Sequence, residues 1–165
     1  MELFILRHGE AGKALPPSPK EFQRPLTEAG RKRIEDVGES LKEWNINFDK
    51  ILTSPLRRAK ETAETVAKVL GIEDRLVDSN DLKPEGNRLE LYKALSKMKP
   101  QDSVLIVGHE PYLSILIGDI IAANPNSHIS LKKGGIAKIE IETFSPRISG
   151  ELRWLLTPRQ IRKIK

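Results

Sequence analysis

The chain has 165 residues, of which 38% are hydrophobic and 31% charged, and this predicts one globular domain spanning residues 1–165 with a heavily charged surface. It contains no cysteine, which excludes disulfides, thiolate metal sites and a cysteine nucleophile. The formal net charge of +5 favours anionic partners, whereas an aromatic content of only 5% argues against a nucleic-acid surface built on base stacking.

The ends of the chain give the expected location. Met1 leads straight into a predicted strand with no basic leader, and no apolar stretch is long enough to span a bilayer. We therefore expect a cytoplasmic protein with no membrane partner. The basic segment at residues 159–165 is expected to be a solvated helix end or tail, and no nucleic-acid partner is predicted from it.

The N-terminal half is predicted to alternate strands and helices. An apolar run near the N-terminus predicts the first strand, and a proline-rich loop follows it. Residues 26–44 carry apolar side chains every three or four positions, which predicts an amphipathic helix with Thr27 as its N-cap. A short strand then leads into a second helix, for which Ser54 is the expected N-cap and Pro55 the expected first helical residue.

The C-terminal half continues this alternation and then changes character. Strands are expected around residues 75–77 and 104–107, each followed by a helix. Apolar and charged side chains alternate over residues 136–143 and again over 152–156, which predicts an antiparallel hairpin with one solvated face. Together these elements predict an α/β three-layer sandwich, with a mostly parallel sheet, an antiparallel C-terminal hairpin and helices on both faces.

Two histidines lie two residues beyond the ends of two of the predicted buried strands. His8 follows the first strand, with Arg7 beside it, and His109 follows the strand at residues 104–107. Ligands in open α/β sheets bind beyond the carboxyl ends of the strands, so both histidines are expected in one crevice. A third strand end adds Arg57 and Arg58 on the first turn of the helix that follows. The predicted crevice is therefore strongly cationic.

Histidines among arginines suit the transfer of a phosphoryl group. The negative charge of that group is spread over three oxygens, which guanidinium groups bind well. One neutral imidazole could attack phosphorus while the other histidine stabilises the charge, and the attacking ring must hold its second nitrogen on a fixed acceptor. The sequence lacks a P-loop, an Asp-x-Asp strand end and a carboxylate cluster for metals, so no metal ion or cofactor is expected.

Four segments resemble, in the same order, the motifs of a known family. Residues 7–10 read Arg-His-Gly-Glu, residues 24–30 begin Arg-Pro-Leu-Thr, residues 54–62 begin Ser-Pro-Leu-Arg-Arg-Ala, and residues 108–110 read Gly-His-Glu. Together they are similar to the histidine phosphatase superfamily, also called phosphoglycerate-mutase-like. The short chain looks most like the SixA-type protein-phosphohistidine phosphatases, since it lacks the large insertions of bigger members.

The resemblance implies a role for each matching residue. It makes His8 the nucleophile that becomes phosphorylated, with Arg7 on the phosphoryl oxygens and His109 as the second, stabilising histidine. The family's arginine in the third motif directly precedes alanine, which selects Arg58 over Arg57. Arg24 is a further candidate for binding phosphate or substrate.

The family's general acid has no recognisable counterpart here. Glu85 or Asp81 could protonate the leaving group of an ester, but the motif around them is missing. An imidazole leaving group protonates readily on its own, which favours phosphohistidine over an ester as substrate.

The expected function is therefore a metal-independent phosphatase that acts on a phosphorylated protein, for example a histidine-transfer domain. Two alternatives stay open at this point. One is a phosphomonoesterase or mutase acting on a small phosphorylated metabolite such as a sugar or nucleotide phosphate. The other is a non-catalytic phosphate-binding module.

Overall fold

The computed structural model describes residues 1–13 and 19–164, apart from the side chain of Pro19, so much of the predicted proline-rich loop lies outside the described residues. The strands are β1 Glu2–Arg7, β2 Lys50–Thr53, β3 Leu76–Asp78, β4 Ser103–Gly108, β5 Ile136–Thr143 and β6 Ser149–Leu156. The α-helices are α1 Pro19–Phe22, α2 Glu28–Glu43, α3 Arg57–Leu70, α4 Arg88–Ser96, α5 Tyr112–Ala122 and α6 Pro158–Ile161.

The six strands form one sheet in the order β3-β2-β4-β1-β5-β6. The first four of these run parallel, and β5 and β6 are antiparallel additions beside β1. This confirms the predicted mostly parallel sheet with an antiparallel C-terminal hairpin. None of the helices in the described part of the chain has the length and apolarity needed to cross a bilayer.

Side chains of β1 divide the core between the two faces of the sheet. Leu3 and Ile5 pack on the face covered by α4 and α5, where Leu113 contributes to the core. Phe4 and Leu6 pack on the opposite face against α2 and α3, which supply Ile34 and other apolar side chains. Because successive residues of a strand point to opposite faces, one short apolar run stabilises both helix layers.

Strands β1 and β4 lie at the centre of the sheet and end together. Their register pairs Arg7 with Gly108, and the His8 N–H donates to the Gly108 carbonyl at 3.0 Å. His8 and His109 therefore leave the sheet at the same level on neighbouring parallel strands.

The two predicted helix starts have different outcomes. Thr27 caps α2 as expected, because its side chain accepts a hydrogen bond from the Gly30 N–H at 2.9 Å. The start predicted for α3 is wrong: the N-cap is Leu56 and the helix begins at Arg57. The Ser54 N–H still bonds to β4 at the Val107 carbonyl, and Leu56 is extended, so the chain turns into the helix two residues later than Pro55 suggests.

Candidate active site

The two strand-end histidines lie side by side in the interior. Their ring centroids are 5.2 Å apart, and the residues are 6% and 2% exposed for His8 and His109 respectively. The shared crevice predicted from the strand ends is therefore present, and both imidazoles are shielded from bulk water.

The His8 ring has a defined tautomer. Its Nδ1 lies 2.7 Å from the Gly9 carbonyl oxygen, and since a carbonyl can only accept, Nδ1 carries the proton. The Nε2 atom of neutral His8 thus carries a lone pair, to which no described residue donates a hydrogen bond. A fixed acceptor of this kind is what a histidine nucleophile requires.

Thr62 holds the Gly9 peptide that orients His8. The Gly9 N–H donates to Thr62 Oγ1 at 3.0 Å, and the same hydroxyl donates to the Arg58 carbonyl at 2.7 Å. Thr62 is fully buried, so both bonds are shielded from water. The first turns of α3 therefore tie the acceptor of His8 to the backbone of Arg58.

Burial and neighbouring cations keep both imidazoles neutral. Burial is the main cause that lowers the pKa of His8 to about 4; the Gly9 carbonyl opposes it, and Arg58 and Arg7 add to it. Burial likewise lowers the pKa of His109 to about 2, with His8 and Arg58 contributing. The candidate site therefore holds two neutral histidines among positive guanidinium groups near neutral pH.

Arg7 is anchored through one end of its guanidinium. Its Nη1 donates to the Leu131 carbonyl at 2.8 Å, and the Leu131 N–H donates to the Glu110 carboxylate at 2.8 Å. Its Nε atom is buried and makes no hydrogen bond within the described residues.

Arg58, in the first turn of α3, is anchored in the same way as Arg7. Its Nη1 donates to the Glu21 carbonyl at 3.2 Å, and its Nε is also buried without a partner in the described part of the chain. The Arg58 side chain is 7% exposed, whereas that of Arg57 is 51% exposed and pairs with Glu61 at 2.8 Å. The geometry thus brings Arg58, and not Arg57, into the interior of the site.

A third buried nitrogen without a partner belongs to His109. Its Nε2 lies 2.8 Å from Ser54 Oγ, while its Nδ1 is buried and unbonded over residues 1–13 and 19–164. Buried polar atoms in folded proteins are nearly always hydrogen-bonded. Arg7 Nε, Arg58 Nε and His109 Nδ1 are therefore a ready set of contacts for a ligand, and the two guanidinium nitrogens can only donate.

Arg24 lies at the edge of the same cationic group. Its Nη2 is 2.7 Å from the Glu21 carboxylate, its Nη1 donates to the Gly12 carbonyl at 2.8 Å, and its charge lowers the pKa of both histidines. The structure thus gathers all five predicted site residues: Arg7, His8, Arg24, Arg58 and His109.

The two candidate acids lie on the segment between β3 and α4. Glu85 lines a cleft with Arg88 and Asp119. Asp81 lies in a 3₁₀ turn, residues 80–82. In the described residues neither carboxylate bonds to His8 or His109, and no group of three His, Cys, Asp or Glu side chains could hold a metal ion.

Sequence reasoning missed three residues that touch the site. Ser54 was predicted as a helix cap and instead contacts His109. Thr62 lies inside the third motif, four residues after Arg58, and that spacing on a helix was an available signal. Glu21 contacts Arg58 across 37 positions of sequence, and no local pattern marks it.

Comparison with known proteins finds a matching family model and relatives that align over nearly the whole chain. The family model of the histidine phosphatase superfamily (branch 1) matches residues 3–82. An uncharacterized protein of Picosynechococcus sp. is 34% identical over 96% of this chain and 98% of its own length. The phosphohistidine phosphatase SixA of Escherichia coli is 23% identical over 100% of this chain and 99% of its own.

Solved structures share the fold. The protein histidine phosphatase SixA complexed with tungstate superposes with a TM-score of 0.84 and 24% identity, covering 96% of this chain and 98% of the other. A mycobacterial glucosyl-3-phosphoglycerate phosphatase superposes with a TM-score of 0.74 and 17% identity, covering 94% and 99%.

The fold is of the phosphoglycerate-mutase-like α/β type. The chain belongs to the histidine phosphatase superfamily.

Proposed function

We propose that this chain is a phosphatase that carries its substrate's phosphoryl group on His8, and that the substrate is phosphohistidine on a protein. The observation that supports it most is a set of buried nitrogens on Arg7, Arg58 and His109 that, like Nε2 of His8, make no hydrogen bond with the described residues, or in the case of His109 only through its other ring nitrogen. Such donors, fixed before the reaction, stabilise charge on a phosphoryl group without having to reorganise.

The first step forms one bond and breaks one. His8 Nε2 attacks phosphorus, and the bond from phosphorus to the substrate's imidazole nitrogen breaks, its electron pair leaving with that imidazole. Arg7 and Arg58 bind the phosphoryl oxygens through Nε, and His109 contributes Nδ1. His8 keeps its proton on Nδ1 and donates it to the Gly9 carbonyl, which stabilises the positive charge that develops on the ring.

The second step regenerates the enzyme. Water attacks phospho-His8, the phosphorus–nitrogen bond breaks, and Nε2 regains its lone pair. The two protons of water end on orthophosphate and its surrounding solvent. Arg24 then contributes to holding the phosphate or the substrate until release.

We favour phosphohistidine on a protein because, in the described part of the chain, no carboxylate bonds to either imidazole, and the Glu21 carboxylate beside them is engaged by Arg24 and Arg58. The ring of His8 bonds to Gly9 and that of His109 bonds to Ser54. Glu85 lines a cleft with Arg88 and Asp119. The relative from Escherichia coli is named a phosphohistidine phosphatase, and a solved neighbour of that type binds tungstate, a phosphate-like oxyanion. A histidine-transfer domain is the partner we propose.

A substrate panel tests this proposal. Purified protein is mixed with a phosphorylated histidine-transfer domain and, separately, with small phosphate esters, and orthophosphate release is measured. We expect acid-labile phosphate on the enzyme and faster turnover of the phosphoprotein. Faster turnover of an ester would instead favour an activity like that of the mycobacterial glucosyl-3-phosphoglycerate phosphatase. Phosphate binding without any phosphoenzyme would leave only a binding module.

A further inference from the structure

Ser54 makes a buried contact with the second histidine of the site. Its Oγ lies 2.8 Å from His109 Nε2, and the residue is 0% exposed. The neighbouring strands fix this contact, because the Ser54 N–H bonds to the Val107 carbonyl of β4 at 3.0 Å, two residues before His109.

The direction of this hydrogen bond follows from counting donors and acceptors. Ser54 Oγ already accepts the Leu56 N–H at 3.3 Å. In the described part of the chain, His109 Nε2 is the remaining partner of that hydroxyl, so it is where the hydroxyl hydrogen can go.

The reverse direction would leave more groups unsatisfied. If His109 Nε2 donated to Ser54, the buried Ser54 hydrogen would have no acceptor among the described residues, and His109 Nδ1 would be a buried lone pair without a donor. With Ser54 donating, only the Nδ1–H is unpaired, and it is unpaired inside a site built for an anion. Each unsatisfied buried group costs about 1–3 kcal/mol, so the second arrangement is favoured.

We propose that Ser54 is a positioning residue that donates its hydroxyl hydrogen to His109 Nε2 and thereby holds the imidazole proton on Nδ1. The phosphoryl group as acceptor of that Nδ1–H rests on the proposed function. His109 then acts as a neutral hydrogen-bond donor that needs no additional proton before the reaction. The opposite tautomer would present a lone pair to the phosphoryl oxygens and repel them.

The tautomer itself can be observed without any substrate. Long-range proton–nitrogen NMR spectra of the ¹⁵N-labelled wild-type protein near pH 7 distinguish protonated from bare ring nitrogens. For His109 we expect a protonated Nδ1 and a bare Nε2 that accepts a hydrogen bond. A protonated Nε2 in the unliganded protein would overturn the proposal, whatever the catalytic activity.

A substitution links the tautomer to turnover. Ser54→Ala removes the donor, and we expect His109 to lose its single tautomer. We expect kcat to fall about 10- to 100-fold, the loss seen when the hydrogen-bond partner that orients a metal-binding histidine is removed. Ser103→Ala is the matched control, because Ser103 starts β4 at the opposite end and its buried Oγ has no hydrogen-bond partner within the described residues. An S54A protein with wild-type kcat would contradict the proposal.

The two proposals fail in different ways. If the wild-type protein forms no phosphoenzyme, the proposed function fails, while the NMR result still decides the role of Ser54. If S54A does not fold, the wild-type spectrum alone decides it. If phosphoenzyme forms and His109 carries its proton on Nε2, only the inference about Ser54 is lost.

Discussion

The Glu21 carboxylate lies 3.3 Å from Nη1 of Arg58, an arginine of the candidate phosphate site. The same carboxylate oxygen is 2.7 Å from Arg24 Nη2. A negative charge thus stands among the cations that would bind the substrate, and it offsets part of their attraction for another anion.

Replacing Glu21 with Gln should strengthen the binding of phosphate. The variant keeps the size of the side chain and the Glu21 carbonyl that accepts from Arg58, and it removes only the charge. We expect product inhibition by orthophosphate to tighten about two- to fivefold, the range of a partly exposed ion pair. Inhibition constants measured in the hydrolysis assay check this. Glu90→Gln is the control, since Glu90 pairs with Lys93 at 2.6 Å on an exposed surface. Weaker inhibition by phosphate in E21Q would contradict this expectation and show that Glu21 serves to orient Arg58.

His8→Ala should abolish turnover and spare phosphate binding. The variant loses the nucleophile, and we expect kcat to fall by at least about 10⁴-fold. Arg7 and Arg58 keep their backbone anchors, so calorimetry should still detect orthophosphate. A variant that retains a near-normal rate would remove His8 from the mechanism.

The pH dependence of the rate should show an unusually acidic limb. The nucleophile acts as neutral imidazole, and burial lowers the pKa of His8 to about 4. We expect kcat/KM to be level down to about pH 5 and to fall near pH 4, measured on a substrate that is itself stable to acid. A fall centred near 6.5, the ordinary pKa of histidine, would mean that His8 is far better solvated than in this structure.

The same shift in pKa makes the fold sensitive to acid. His8 binds its proton near pH 4 when folded and near 6.5 when unfolded, so its neutral burial contributes stability above pH 6.5 that is lost as the pH falls toward 4. The contribution is of order 3 kcal/mol at most. Urea unfolding between pH 7 and 4 should show a steeper loss of free energy in wild type than in His8→Asn. Parallel curves for the two proteins would contradict this account.

Thr62→Val should damage both stability and catalysis. The substitution keeps the shape of the side chain but leaves the Gly9 N–H and the Arg58 carbonyl without their shared partner. We expect the free energy of unfolding to fall by about 1–3 kcal/mol and kcat to drop, because the acceptor of His8 loses its anchor. Urea denaturation and initial rates measure the two effects.

Thr65→Val is the matched control for that experiment. Thr65 lies in the same helix, and its hydroxyl donates at 2.6 Å to the Glu61 carbonyl four residues earlier, without a contact to the site. We expect kcat to be unchanged in T65V. Equal losses of kcat in the two variants would show that the effect comes from α3 in general.

Patterns local in sequence predicted the sheet and most of the site. Apolar runs marked β1 and β4, and the residue after each of these strands is a histidine of the candidate site. The start of α3 was predicted wrongly because serine followed by proline is a common helix start, whereas Ser54 remains bonded to β4 and contacts His109. A serine hydroxyl can either cap a helix or contact a distant ring, and the sequence alone does not distinguish these two roles for Ser54.

Contacts between distant segments were beyond prediction. Glu21 contacts Arg58 because α1 packs near the first turn of α3, and no periodic pattern in the sequence predicts that packing. The anchor of Arg7 at Leu131 spans 124 positions of sequence and depends on the turn before β5. Such partners follow from the three-dimensional fold and not from spacing.

The pairing of Arg7 with Gly108 places the candidate site directly beyond two hydrogen-bonded strands. Neighbouring strands in any sheet lie about 4.8 Å apart, and the two imidazole centroids, one residue beyond that pair, are 5.2 Å apart. The gap between the proposed nucleophile, His8, and the proposed stabiliser, His109, is therefore set by the pairing of the two strands and not by a loop. The surrounding loops can lengthen or change sequence to admit another substrate while this distance stays constant.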